Sequence, residues 1–324
     1  MSSSSTTNRR QKRVREETIS PHGTSLMKDE QSSSDEDMYN VDQANSAFEL
    51  NVSFEIHNVA KDDFFSIKHH LMNYLDGQAW LASELADYVS ALTDIGSTIR
   101  VEDNKEAFGF ISVVNLFRAS KLASVKQVVG FMLGKITDKT QHDRLATLLD
   151  YKPTQGKERN SIGLILNERM INIPPQLIPP LHTSFFEEIE EAYKEETTAG
   201  GSSSSSSAKL PYFDFEYYLF MTTVYEESNT AKKSRDSKRT KHMSGEQIYY
   251  KKFEDEAYLE ESEFAFSYPI VRENKTSARW SLAGQIAERR VIALVHHTKV
   301  PKILAKIQSY LDEAMVATTT TTTK

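Results

Sequence analysis

The chain contains no cysteine, which removes disulfide frameworks, thiol nucleophiles, Cys-ligated zinc and iron–sulfur clusters together. A reducing compartment suits such a chain. Glycine is scarce, 12 in 324 residues, and there is no Walker loop, no G-x-G-x-x-G, no G-x-S-x-G elbow and no H-E-x-x-H. A nucleotide enzyme is therefore not expected. No apolar run approaches the roughly 18 residues of a membrane helix, and the N-terminus is Ser-rich and then basic, without an apolar signal core. The expectation is a soluble, non-secreted protein with no membrane insertion. The net charge of −7 argues against nucleic acid as a specific ligand of the whole chain and favours a basic protein partner.

Composition divides what is present. Residues 1–45 are low in aromatic and β-branched residues and are expected to be a disordered tail. Within it Arg9, Arg10, Lys12, Arg13 and Arg15 form a basic cluster that suits an import receptor, the alternative being a solvated basic tail. Ser32, Ser33 and Ser34 precede Asp35, Glu36 and Asp37, a pattern for an acidophilic kinase or simply a solvated acidic patch. Residues 46–314 read as one globular domain with flexible insertions at 196–209, rich in Ser, and 229–245, rich in Lys and Arg. A poly-Thr tail over 315–324 is expected to be disordered.

In the globular part Phe48, Leu50, Val52, Phe54 and Ile56 alternate with polar residues, the period of a half-buried strand. Asp62 or Asp63 can then cap a helix with Phe65, Leu71 and Tyr74 or Leu75 on one face, and a second helix carries Trp80, Leu81, Leu85 and Val89. Ile95–Val101 and Ala107–Leu116 read as a hairpin across Glu102-Asp103-Asn104-Lys105. Helices follow at Ser124–Gly134 and Lys139–Leu149, then a fully buried strand at Ile162–Leu166. Pro174 and Pro175 can open a helix that Pro179 and Pro180 kink or interrupt. From Leu181 it is amphipathic, with Phe185, Phe186, Ile189 and Tyr193 as its apolar stripe. Tyr212–Tyr225, Ile248–Tyr258, Glu263–Val271 and Val291–His296 read as strands, and Val300–Leu311 as a closing helix. The expected fold class is α/β (α+β), a single domain with a mixed central sheet flanked by helices.

Catalytic constellations are absent from this pattern. His69-His70 and His296-His297 are adjacent pairs whose side chains diverge on helix or strand alike, so neither chelates one ion readily. No catalytic, cofactor-binding or metal-ligating residue is assigned. The carboxylates fall in runs: Glu187, Glu188, Glu190 and Glu191, then Glu254, Asp255, Glu256, Glu260 and Glu261. Interleaved with aromatic residues, they are candidates for a patch that holds a Lys- and Arg-rich protein. The competing reading is a solvated acidic face. The basic run Lys232–Lys241 can meet nucleic acid, an anionic lipid or an import receptor, or be solvated.

Several stretches together resemble the BCCIP family of nuclear proteins. They are Phe108–Leu116, the long motif Gly163–Gln176 with Gly163, Asn167, Glu168, Arg169, Asn172, Pro174 and Pro175, the acidic-aromatic stretch Phe253–Tyr268, Trp280-Ser281 and Arg290–Leu311. The resemblance covers about 51–311. It implies a fold similar to that of GCN-related N-acetyltransferases, without catalysis and without a cofactor. The sequence agrees on the second point: the R/Q-x-x-G-x-G/A loop such enzymes place on the cofactor pyrophosphate is not found after Leu116, where Phe117–Ala123 has neither glycine. The resemblance further implies a nuclear chaperone or export adaptor that can shuttle with the cytoplasm. Its partners would be a newly made large-subunit ribosomal protein, a phosphoinositide kinase and, in animals, cell-cycle and DNA-repair proteins. A scaffold in such assemblies and a divergent acetyltransferase are the rival readings. Within the long motif, Glu168 and Arg169 are expected either to pair with each other or cap a helix, or to touch a partner.

Overall fold

The structure, a computed structural model, describes residues 53–102, 104–150, 159, 161–200, 211–227, 247–270 and 286–321. The basic cluster at Arg9–Arg15, the Ser32–Ser34 patch, the start of the first strand, the 229–245 insertion and Trp280-Ser281 lie outside the described residues. Eight strands form one sheet in the order β1-β2-β3-β4-β5-β8-β7, with β6 pairing β5 off that path. They are β1 (Phe54–Asn58), β2 (Ser97–Val101), β3 (Ala107–Asn115), β4 (Ser161–Arg169), β5 (Phe215–Glu227), β6 (Gln247–Tyr250), β7 (Phe264–Pro269) and β8 (Ile286–His296). Only β4 and β5 run parallel among these pairs. The helices are α1 (Phe64–Leu71), α2 (Ala82–Ala91), α3 (Ala123–Lys135), α4 (Lys139–Leu149), α5 (Ile178–Gly200), α6 (Glu254–Glu260) and α7 (Val300–Thr321). The mixed α/β architecture is as the sequence indicated. Among the described residues no helix is long and apolar enough to cross a membrane.

Two apolar layers sandwich the sheet. One face packs Leu164, Leu166, Leu219, Ile292 and Leu294 against Ile67 and Leu71 of α1, Leu85 and Val89 of α2, and Val128 and Met132 of α3. The other packs Ile165, Tyr218, Phe220 and Val295 against Phe185, Phe186 and Ile189 of α5 and Ile303 and Ile307 of α7. This division is why Ile162–Leu166 reads as an unbroken apolar run: all of Ser161–Leu166 is buried, with helices on both sides.

Local chemistry explains several departures from expectation. Phe65 is 77% exposed, because the buried stripe of α1 and the turn after it is Ile67, Leu71, Tyr74 and Leu75. Pro179 and Pro180 do not interrupt α5. They occupy its first turn, where a missing N–H costs no helical bond. The C-terminal end of α5 runs to Gly200, and Glu196 Oε2 accepts from the backbone N–H of Tyr212 at 2.6 Å, so Glu196 belongs to the fold and not to an insertion. Ile248–Tyr258 is not one strand: β6 ends at Tyr250 and α6 begins at Glu254. Its aromatic content mimics a strand, but Glu254, Ala257, Tyr258 and Glu261 are buried at helical spacing, and Glu254, Asp255 and Glu256 in the first turn complement the helix dipole. The closing helix continues past Leu311 to Thr321.

Two buried ion pairs tie the first helical layer to the sheet. Asp63, fully buried, accepts from Ala60 N–H at 2.8 Å and from Arg100 Nη2 at 2.5 Å. Arg290 donates to Asp76 Oδ1 at 2.7 Å, to Thr223 Oγ1 at 3.0 Å and to the Asn73 carbonyl at 3.0 Å, while Tyr268 donates to the other Asp76 oxygen at 3.0 Å. Asp76 holds a left-handed φ of 55°, which Asp tolerates better than most residues.

At Gly163, β4 lies close against its neighbours. A Cβ there would lie 2.7 Å from Val113 Cγ2 and 3.1 Å from the Phe215 ring, and Val113 is a stiff β-branched residue in a filled layer. Gly163→Ala is expected to lower the unfolding free energy by about 1–3 kcal/mol, read from urea unfolding. A native-like midpoint would show that the layer relaxes at no cost.

Candidate functional site

The feature that sets up the site is a divergence. β4 and β5 pair only from Ser161↔Phe215 to Leu164↔Leu219. Beyond that β4 stays with β3 as far as Arg169, and β5 stays with β8 and takes up β6 at Val224–Glu227. A wedge opens between them, lined by strand backbone that needs partners. The turn after β6 and α6 fill it. Lys252 Nζ donates to the Asn167 carbonyl at 2.6 Å.

The filling is ionic. Arg169 of β4 makes a two-pronged pair with Glu254 of α6, Nη1 to Oε1 and Nη2 to Oε2, the second at 3.0 Å. Asn167 Nδ2 donates to Glu254 Oε1 at 3.1 Å. His182 of α5 lies with Nε2 3.9 Å from the same oxygen and Nδ1 2.8 Å from the Tyr258 hydroxyl. Beside it the Thr222 hydroxyl donates to Asp255, and Lys252 Nζ stands 3.8 Å from the other Asp255 oxygen. The side chains of Glu254 and His182 are wholly buried, and that of Arg169 is 9% exposed. A cavity of about 10 Å³ remains among Asn167, Lys252, Asp255 and Tyr258, no more than one water needs.

These environments separate the titrations. Burial works to raise the pKa of Glu254, but the Arg169 guanidinium, with His182 and Lys252, outweighs it and holds the carboxyl well below the usual range. Burial pushes Asp255 up to about 6, aided by the neighbouring Glu254 charge and opposed by Lys252 and Thr222. Burial lowers the pKa of His182, against the raising effect of the Glu254 carboxylate.

The sequence-selected residues fall into three groups. Glu254 and Asp255 are internal and form no surface patch, which corrects their reading as partner contacts: each is committed to the wedge. Glu260 pairs with Lys306 and Tyr310, each at 2.7 Å, and Glu261 with Lys306 at 2.5 Å and Lys302 at 2.8 Å, which fastens α6 to α7. Glu256 is half-buried. On α5, Glu188 accepts from Gly96 N–H at 3.1 Å, and Glu190 holds Arg159 at 2.7 and 2.8 Å. Glu187 and Glu191 are exposed, as is Glu195 a turn further on. Of the aromatic residues expected among these acids, Phe185, Phe186, Tyr258 and Phe264 are buried in the core, and Tyr193 and Phe253 are half-buried against it.

In the long motif, Arg169 pairs across the wedge and not with Glu168. Strand alternation sends Glu168 to the opposite face, where its charge reaches His70 and Arg290. Asn172 and Pro175 are exposed, and Pro174 is half-buried. Sequence reasoning missed His182, Lys252 and Thr222. The available signal was a histidine at an apolar-stripe position, four residues after Ile178 and three before Phe185. The loop after β3 leads to α3, and its Phe117 and Arg118 N–H groups are taken by Asn115 Oδ1, each at 3.1 Å. The segment entering the crossover helix of the parallel pair is 170–177, which contains two prolines and no glycine.

Among the described residues no group of three His, Asp or Glu side chains is placed to hold a metal ion. A wider groove of about 380 Å³ between α4 and the β5–β8 surface is lined by Asp143, Arg144, Thr147, Leu148, Tyr217 and Leu294 and brings no acid–base pair to a buried centre.

Fold and site together define a three-layer mixed α/β protein whose one parallel strand pair is wedged apart and sealed by a buried ion network. The BCCIP family model matches residues 49–258, and the chain belongs to the BCCIP family. It is 27% identical over 280 residues to the protein BCCIP homolog of Arabidopsis thaliana, covering 84% of this chain and 78% of that one. It is 25% identical to the BRCA2 and CDKN1A-interacting protein of Bos taurus, covering 81% and 84%. Among solved structures it resembles crystalline BCP1 from Saccharomyces cerevisiae with a TM-score of 0.50 and 16% identity, over 85% of this chain and 98% of that one. That likeness shows the fold.

Arg169→Met leaves Glu254 buried without its cation and is expected to cost about 3–5 kcal/mol, most of it recovered in Arg169→Met/Glu254→Met. Chemical denaturation of both variants checks this, and additive losses would remove the pair from the account. Asp255 binds its proton more tightly folded than unfolded. Its contribution is thus fully present below its ordinary pKa and is lost as pH rises through about 6. Asp255→Asn should gain stability relative to the native chain as pH rises from about 4 to about 6.5 and keep that gain above it, and an unchanged difference across that window would contradict the assignment.

Proposed function

We propose that this protein is a non-enzymatic, nuclear protein-binding chaperone or adaptor that shields a basic client, a large-subunit ribosomal protein, and assists the nuclear export of client proteins. The observation that carries the reading is the outward row Glu187, Glu191 and Glu195 along α5, at four-residue spacing on one side of the helix. Such a row steers a Lys- and Arg-rich surface by complementary potential. The filled wedge supports the non-enzymatic part: the space between the parallel strands holds the protein's own side chains, and the acetyltransferase-like fold implied by the resemblance then serves as scaffold only. The cluster at Arg9–Arg15 supports nuclear entry through an import receptor. A phosphoinositide kinase remains a further client in this reading.

A second reading, a scaffold for cell-cycle or DNA-repair assemblies, is favoured by the name of the cattle relative, a BRCA2 and CDKN1A-interacting protein. Affinity capture from nuclear extract with stepped-salt washes separates the two. Under the first reading a stoichiometric basic ribosomal protein is retained and leaves as salt rises. Recovery of only repair or cell-cycle proteins favours the second. Reversal of Glu187, Glu191 and Glu195 to Lys should weaken capture of the basic client on the order of tenfold at low salt, with little effect at high salt. Undiminished capture would remove α5 from the binding surface.

A further inference from the structure

Glu254 meets its surroundings as a ligand meets a receptor. Arg169 offers both guanidinium prongs, Asn167 an amide donor, and His182 closes the third side, all from β4 and α5 and none from the helix that carries the carboxylate. The pocket is buried and rigidly backed, since β4 is paired to β3 along this stretch as far as Arg169. Two-pronged Arg–carboxylate geometry combined with an amide donor is a recognition arrangement for planar anions. α6 itself is only seven residues long, too short to persist without tertiary contacts.

We infer that β4 and α5 build a carboxylate-binding site and that Glu254 is its tethered ligand, so that α6 is docked in the wedge by occupancy of that site. The ligand class is a carboxylate on a short aliphatic stem. The inference stands apart from the client reading, and its test requires no client.

Glu254→Ala removes the group that acetate replaces, a methyl-sized carbon and its carboxylate. In the full chain carrying this substitution, acetate should raise the thermal midpoint saturably relative to chloride at equal ionic strength. It should have no such effect on the native chain or on Glu254→Ala/Arg169→Met. If Glu254→Ala folds only with ligand, recovery of the native circular dichroism on refolding in acetate but not in chloride is the same result. Equal responses to acetate and chloride, failure to refold in both, or rescue that survives loss of Arg169 would each overturn the site. Glu254→Gln, which keeps shape and loses charge, tests the docking: amide exchange in α6 should accelerate by at least about tenfold while β8 is unchanged. Unaltered α6 exchange would show that apolar packing holds the helix instead.

Discussion

The pairing of Arg169 with Glu254 decides what the centre of this molecule can be. Once β4 and β5 part after Leu164 and Leu219, each carries a strand edge into the interior, and buried backbone groups require partners. A short helix offers only the free N–H and C=O groups at its ends, so side chains complete the pairing. The solution is a turn whose Lys252 caps the Asn167 carbonyl, followed by a helix whose first residue meets Arg169. Removing two charges from water is costly, and only near-complete hydrogen bonding offsets it. That is why the wedge also recruits Asn167, His182, Tyr258 and Thr222.

The network has neighbours of the same construction. Asp63 with Arg100, and Asp76 with Arg290, hold the other helical layer to the sheet. In each case a carboxylate from outside the sheet meets an arginine within it: Arg100 on β2, Arg169 on β4, Arg290 on β8. Strands supply the fixed cations and the covering layers supply the anions. Apolar burial gives the layers their cohesion, and these pairs give them their register.

Much of the fold was legible in the residues. Alternation marked β1, the polar turn marked the β2–β3 hairpin, and an unbroken apolar run marked β4 as a strand covered on both faces. The misread element was the one whose conformation is set from a distance. Taken alone, Ile248–Tyr258 has strand composition; it is the wedge, built by residues some ninety positions earlier, that turns its second half into a helix. The site was legible only in part for the same reason. Acidic runs were visible, but which carboxylates face inward depends on where Arg169, Arg159, Lys302 and Lys306 stand, and no local pattern reports that. Periodicity signals what a segment buries, and it does not signal what a buried charge is paired with.

The division within α5 shows how this sorting shapes the surface. Three of its acids are engaged by the fold: Glu188 by the Gly96 N–H, Glu190 by Arg159 and Glu196 by the backbone ahead of β5. Glu187, Glu191 and Glu195 lie at exposed positions. Four-residue spacing advances about 40° per step around the helix, so the outward acids form a slowly winding ridge while their sequence neighbours turn inward. Arg159 holds one of the inward acids and backbone N–H groups hold the other two. What the protein displays on this layer is a negative edge on a helix whose apolar stripe is locked by Phe185, Phe186 and Ile189. One helix thus closes the interior with its inward acids and carries negative charge at its exposed positions, the two roles falling to neighbouring residues.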